Sequence, residues 1–218
     1  MDDFTFESPG RIQAASPSLP NADALDEAAS ILAKAKNPVI ITNWGGRNPT
    51  VMPALIELAD KYAIPVVEYR NRFVAMPRHH PMFAGGNPNP FVEAADAILV
   101  MDCATPWLPS QVSPSEGCKV LHLAPDPHYS YLPIRGFRSD IALACDSALG
   151  LVALNAAMEE PAKTNKIAIS SRRKSVMALH EELEESWAKK LQDVKDQTPI
   201  HPAWISDCIS KISDADTI

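Results

Sequence analysis

The stretch Asn37-Pro-Val-Ile-Ile-Thr-Asn-Trp-Gly-Gly-Arg-Asn48 limits the possible folds more than any other part of the chain. Val39, Ile40 and Ile41 form a β-branched apolar run, the pattern of a strand buried on both faces of a parallel sheet. Gly45 and Gly46 close it, and Asn48 to Pro53 open a helix. Strand, glycine turn and helix together begin a doubly wound α/β domain, whose ligands sit beyond the carboxyl ends of the strands. The turn is not a full dinucleotide fingerprint, which needs G-x-G-x-x-G. Gly45-Gly46-Arg47-Asn48-Pro49-Thr50 has only the adjacent pair, so a tight turn and a phosphate cradle are both open readings.

The rest of the chain repeats this grammar. Asn21 caps a helix expected to reach about Lys36, with Leu25, Ala28, Ala29, Leu32 and Ala33 on one face. A second helix, Val51 to Tyr62, leads into a strand at Pro65-Val-Val-Glu68. Ala97-Ile-Leu-Val-Met101, Val120-Leu-His-Leu123 and Ser139 to Ala144 are further strands, and Asp146 caps a helix to about Met158. Long irregular connections run from Tyr69 to Pro90 and from Asp102 to Lys119. Connections of that length in a compact domain are functional or form interfaces. The reading is a doubly wound, Rossmann-like α/β domain with a mostly parallel six-stranded sheet and a C-terminal helical tail.

Three segments follow from this: an extended linker at residues 1–20, the α/β domain at 21–160, and a tail at 161–218. The tail carries a charged helix from Ser170 to about Lys195 with a thin apolar stripe, Val176, Leu179 or His180, Leu183, Trp187, Leu191 and Val194. Such a stripe suits a connector laid across a neighbouring domain. Thr217-Ile218 reads as the entry of another strand, so the chain is expected to stop inside a longer polypeptide.

Charge and cysteine usage exclude several classes. A net charge of −7, with Arg172-Arg173-Lys174 as the longest basic run, argues against a nucleic-acid partner. The four cysteines, Cys103, Cys118, Cys145 and Cys208, contain no C-x-x-C and read as reduced thiols. Neither a signal peptide nor a membrane-spanning run is visible, so a cytoplasmic location and no membrane partner are expected.

In their order, Leu32-Ala-Lys-Ala-Lys-Asn-Pro-Val-Ile-Ile41, Ile56-Glu-Leu-Ala-Asp-Lys-Tyr-Ala-Ile-Pro-Val67, His79-His-Pro-Met-Phe-Ala-Gly85, Ala94-Ala-Asp-Ala-Ile-Leu-Val100 and Val120-Leu-His-Leu-Ala-Pro-Asp126 carry a family likeness. They resemble the central domain of thiamine diphosphate-dependent 2-oxo acid enzymes of the acetolactate synthase and pyruvate oxidase family. The resemblance implies a mainly architectural domain within a larger enzyme that decarboxylates a 2-oxo acid and then carries out carboligation or a related transfer. It also implies flanking domains as partners, and a homodimer or tetramer. Thiamine diphosphate and magnesium would belong to those flanking domains. In the family the activating glutamate precedes this segment and the Gly-Asp-Gly magnesium motif follows it. This sequence contains no Gly-Asp-Gly, so no catalytic residue, metal site or resident cofactor is expected on it, and the chain alone should not catalyse.

Some members of that family hold FAD or ADP on this domain. An independent nucleotide-binding module is therefore the alternative reading, its candidate residues Gly45, Gly46, Arg72, Gly85, Gly86 and Asp126 forming a vestigial site. The loop after the third strand, Asp102-Cys-Ala-Thr-Pro-Trp107, lacks the arginine those members use, and Leu123-Ala-Pro-Asp126 keeps one of two acids. Arg70, Arg72 and Arg78 read either as an anion clamp or as ion-pairing groups at a domain interface. His79-His80 fits loop hydrogen bonding better than a metal pair, His122 a satisfied core histidine, and Cys103 a structural thiol. Trp107, Pro109, Tyr129 and Tyr131 stand on loops, where they cover a ligand or pack against other domains.

Overall fold

The structure, a computed structural model, describes residue 10 and residues 13–214. Five parallel strands form its centre: β1 (Pro38–Thr42), β2 (Val66–Glu68), β3 (Ala97–Met101), β4 (Lys119–Ala124) and β5 (Ile141–Ala144), in the order β2-β1-β3-β4-β5. Ile40 aligns with Val66 on one side and Leu99 on the other, and Leu99 aligns with Leu121. Every residue of β1 and β3 is buried, which explains their unbroken apolar sequence. Alternate side chains feed two cores. Ile40, Leu99, Met101, Leu121 and Leu123 join one, while Val39, Ile41, Ile98, Val100 and Val120 join the other.

The first core is covered by α1 (Ala22–Lys34), α2 (Val51–Tyr62) and α4 (Ser147–Ala157). The second lies under α3 (Asn89–Ala94), with Val92 and Trp107 buried in it. Both expected caps are made: Asn21 Oδ1 accepts from Ala24 N at 3.1 Å, and Asp146 Oδ1 accepts from Ala148 N and Leu149 N at 3.0 Å. The chain winds outward from β1 through α2 to β2, then returns past β1 to β3. The strand order therefore reverses between β1 and β3, and that is where a cleft is expected.

The sheet has five strands among the described residues, not six, and all are parallel. Beyond β2, residues Met82 to Gly85 run along the free edge: Val66 N donates to Met82 O and Ala84 N to Val66 O, both at 2.8 Å. Only Val66 and Phe83 form a bridge there. Pro81 before it and Gly85-Gly86 after it stop the segment from extending into a strand. Residues 1–9, 11 and 12 of the expected linker, and Thr217-Ile218, lie outside the described residues.

A short helix α5 (Glu159–Ala162) and a 3-10 turn (Lys163–Asn165) lead into α6 (Lys166–Val194), and α7 (Pro202–Ile212) follows. The stripe of α6 packs in part on the α/β body of this same chain. Val176 sits in the first core, with Leu183 and Trp187 packed against it, and His180 Nδ1 lies 2.9 Å from Phe83 O. Arg172 is the fixed point of this packing. Its guanidinium donates to Ala63 O and Ala35 O at 2.9 Å, Tyr62 O at 2.6 Å and Lys36 O at 3.3 Å. These carbonyls close the C-terminal ends of α1 and α2, where a cation meets both the unpaired acceptors and the negative pole of each helix.

Candidate functional site at the carboxyl edge of the sheet

A cleft of about 610 Å³ opens where the strand order reverses. Trp44, Gly45, Arg47 and Asn48 come to it from the turn after β1, Asp102 from the end of β3, Asp126 and Tyr129 from the loop after β4, and Asp146 and Ser147 from the start of α4. Its position follows from topology alone, since each of these segments leaves the carboxyl end of a neighbouring strand.

Asp102 lies in the middle of it. The residue takes a positive φ of 45°, fixed by Asp102 N donating to Leu123 O at 3.1 Å and Trp44 N donating to Asp102 O at 3.0 Å. Ser147 Oγ donates to its carboxylate at 2.8 Å. Burial pushes its pKa up to about 6 and nearby Asp146 adds to the rise, against the Ser147 hydrogen bond. Asp126 behaves in the opposite way: hydrogen bonds from Ser130 N (2.7 Å) and Ser130 Oγ (2.8 Å) hold its carboxyl below the ordinary range. With Asp146 they give the cleft three acidic groups against one lining cation, Arg47. A polyphosphate would meet like charge on most sides of this cleft.

Behind the cleft, Arg135 ties the loop after β4 to the sheet. It donates to Ala104 O at 3.1 Å and to His122 Nδ1 at 3.2 Å, and lies 5.0 Å from the centre of the Tyr129 ring. Nδ1 therefore accepts, and the proton sits on Nε2, which faces Arg138 O at 3.0 Å. Burial pulls the His122 pKa down to about 4, so a neutral, fully partnered imidazole is the resting form. Burial likewise pushes the Cys103 thiol up to about 12, which leaves it without nucleophilic thiolate near neutrality.

Of the six residues expected from the sequence to mark a nucleotide site, the cleft brings together Gly45 and Asp126. Gly46 faces away: a Cβ there would lie 2.0 Å from Val74 O. A Cβ on Gly45 would lie 2.6 Å from Met101 Cε and 2.7 Å from Thr42 Oγ1. The pair is thus a turn packed tightly against its neighbours. Arg72 lies outside the cleft on the loop after β2, where its N–H donates to Asn43 O at 2.9 Å. Gly85, with φ +78°, and Gly86 lie at the β2 edge; a Cβ on Gly85 would come 3.2 Å from Leu183 Cδ2 of α6. Sequence reasoning missed Asp102, Ser147 and Arg135. Asp102 was detectable as the polar residue ending a buried strand, whereas nothing in the sequence marks Arg135.

Among the described residues no three His, Cys, Asp or Glu side chains converge to hold a metal ion. Nor is any helix among the described residues long and apolar enough to cross a membrane.

Against known proteins, residues 25–154 match the family model of the thiamine pyrophosphate enzyme central domain. Sulfoacetaldehyde acetyltransferase of Rhodobacter capsulatus is 38% identical over 66 residues, 30% of this chain and 11% of that protein. Its namesake in Roseovarius nubinhibens is 41% identical over 63 residues, 29% of this chain and 10% of that protein. Among solved structures, a Mycobacterium smegmatis protein assigned as a thiamin diphosphate-dependent enzyme superposes with a TM-score of 0.58 at 24% identity, covering 70% of this chain and 31% of that one. Benzoylformate decarboxylase from Polynucleobacter necessarius gives 0.57 at 21%, covering 72% and 30%. The matched stretch thus spans about a tenth of each acetyltransferase, and the fold under a third of each solved chain.

Proposed function

The chain belongs to the family of thiamine pyrophosphate enzyme central domains, and from that premise we propose that it is the middle domain of a longer, cytoplasmic thiamine diphosphate-dependent enzyme. Its work there is architectural. In this reading residues 21–160 form the body, 1–20 lead in from a preceding domain, and 161–218 run back along the free β2 edge and begin the next. The observation that carries this reading is the strap itself: Arg172 and the α6 stripe lock the tail onto the α/β body and fix the direction in which the chain leaves it. A domain so braced holds two flanking catalytic domains at a set separation. Those flanking domains, paired in a dimer or tetramer, would hold thiamine diphosphate and magnesium. The carbanion chemistry would be the cofactor's own.

For the reaction, decarboxylation of a 2-oxo acid followed by carboligation or acetyl transfer is the proposal. The local identity to two sulfoacetaldehyde acetyltransferases favours acetyl transfer involving sulfoacetaldehyde over acetolactate formation. The test is to assay the longer polypeptide with thiamine diphosphate and magnesium, supplying pyruvate or sulfoacetaldehyde in parallel. Turnover that requires added thiamine diphosphate supports the family role, and the preferred substrate separates the two reactions. Turnover by the 218-residue chain alone would contradict the architectural assignment.

A further inference from the structure

At the amino edge of the sheet, on the far side from the cleft, a groove of about 240 Å³ lies under α6. Its prolines follow from position. Pro38 begins β1, Pro65 precedes β2 and Pro90 stands in the first turn of α3. None of the three has a backbone N–H to donate. Phe91 adds a ring from α3. Ser175, Val176 and Leu179 stand three, four and seven residues after Arg172, so one face of α6 covers the groove. The walls therefore offer hydrocarbon and few donors.

One charge enters this apolar space. Arg172 lines the groove, is only 9% exposed, and makes no ion pair with a described residue. Asp96, whose charge favours the guanidinium, spends its two oxygens on Lys36 N at 2.7 Å and Asn37 N at 2.9 Å. A guanidinium carries five N–H donors. Nε donates to Ala63 O, Nη1 to Ala35 O and Lys36 O, and Nη2 to Tyr62 O. One Nη2 hydrogen is left without an acceptor among the described residues. On the same helix face, Ser175 Oγ reaches Ser171 O only at 3.4 Å, so its hydroxyl can turn to a better acceptor. No other cation lines the groove among the described residues. A buried positive group without a counter-ion, set in hydrocarbon, suits an anion that brings hydrocarbon with it.

We propose that this groove is a binding site for a short-chain aliphatic monocarboxylate. One carboxylate oxygen accepts from the free Nη2–H of Arg172 and the other from Ser175 Oγ, while the alkyl chain lies among Pro38, Phe91 and Leu179. Size selects the class of ligand. The groove has room for about eight water molecules at about 30 Å³ each, less than the roughly 300 Å³ at which sites for drug-sized ligands begin. It takes an acid of a few carbons and is too small for a peptide segment. Charge selects as well: a single guanidinium matches one negative charge and leaves a phosphate dianion half neutralised. The site does not depend on the enzymatic role proposed above.

Isothermal titration of the 218-residue chain with isovalerate, in the absence of thiamine diphosphate, tests it. Saturable, stoichiometric binding is expected. Isoamyl alcohol keeps the hydrocarbon and loses the charge, and should bind at least roughly tenfold more weakly. Acetate keeps the charge and loses most of the hydrocarbon, and should weaken at least as much. Ala94→Phe, on α3 at the groove, fills the space while leaving the Arg172 bonds untouched, and should abolish binding. In an NMR titration the amide shifts should centre on Phe91, Ser175 and Val176, which locates the ligand without any substitution. The longer polypeptide should bind isovalerate as the 218-residue chain does. The proposal is overturned by the absence of saturable binding, by an alcohol that binds as well as the acid, by undiminished binding to Ala94→Phe, or by shifts centred on the cleft. Loss of binding in the longer polypeptide would overturn it too, since the groove would then be the seat of a flanking domain.

Discussion

Arg172 shows how much one residue holds in this molecule. It sits in the one basic run that the sequence makes conspicuous, and its donors go to the carbonyls that end α1 and α2. Burial lowers its pKa without threatening its charge. Removing the guanidinium strands several buried acceptors at once, so Arg172→Ala should cost about 2–4 kcal/mol of unfolding free energy. Arg172→Lys should recover less than half of that, because one ammonium cannot span carbonyls of two helices. Urea midpoints of the three proteins measure this, and equal midpoints would refute it.

A second residue-scale prediction concerns pH. Burial lowers the His122 pKa from 6.5 to about 4, so the unfolded chain takes up its proton first and His122 raises stability as pH climbs from about 4 to 6.5. Burial raises the Asp102 pKa from 3.8 to about 6, so the folded chain holds that proton longer and Asp102 lowers stability as pH climbs from about 4 to 6. The two oppose each other over one window. Asp102→Asn, which suits the positive φ, should leave a stability that rises with pH there. His122→Gln should leave one that falls, with the unmodified chain between them. Parallel profiles for all three in urea titrations would show that these groups do not carry the dependence.

The elements were legible in the sequence to different degrees, for physical reasons. Strands buried on both faces need apolar runs, so β1 and β3 were plain at Val39 to Ile41 and Ala97 to Met101, while β2, β4 and the half-buried β5 were found at shorter or interrupted runs ending at Glu68, holding His122, and reaching Ala144. The caps Asn21 and Asp146 were equally plain, because capping is local. The site was less legible. Whether Gly45-Gly46 cradles a phosphate or packs against protein depends on Val74, which reaches Gly46 only through the pairing of β1 and β2. Arg135 and the direction of α6 are likewise set by partners far along the chain. Both glycines should resist substitution, but unequally. Gly46→Ala drives a methyl into the Val74 backbone and should cost about 1–3 kcal/mol, as overpacking does. Gly45→Ala meets the mobile end of Met101, together with Thr42, and should cost less. Thermal unfolding of the pair checks the order, and a reversed order would mean the turn yields where the packing says it cannot.

At the scale of the molecule, the account joins three observations: a five-stranded doubly wound body, a family match over residues 25–154, and a tail strapped to that body by Arg172 and α6. The cleft at the carboxyl edge is acidic and its glycine turn is packed shut on the Val74 side, while no described residues form a metal-binding group. The central claim is that this chain shapes and braces a thiamine diphosphate enzyme without itself holding the cofactor. Isothermal titration of the 218-residue chain with thiamine diphosphate and magnesium tests it most directly. The account predicts no saturable heat at millimolar cofactor, and saturable binding once the flanking domains are present on the same polypeptide. A stoichiometric, magnesium-dependent isotherm on the chain alone would contradict it.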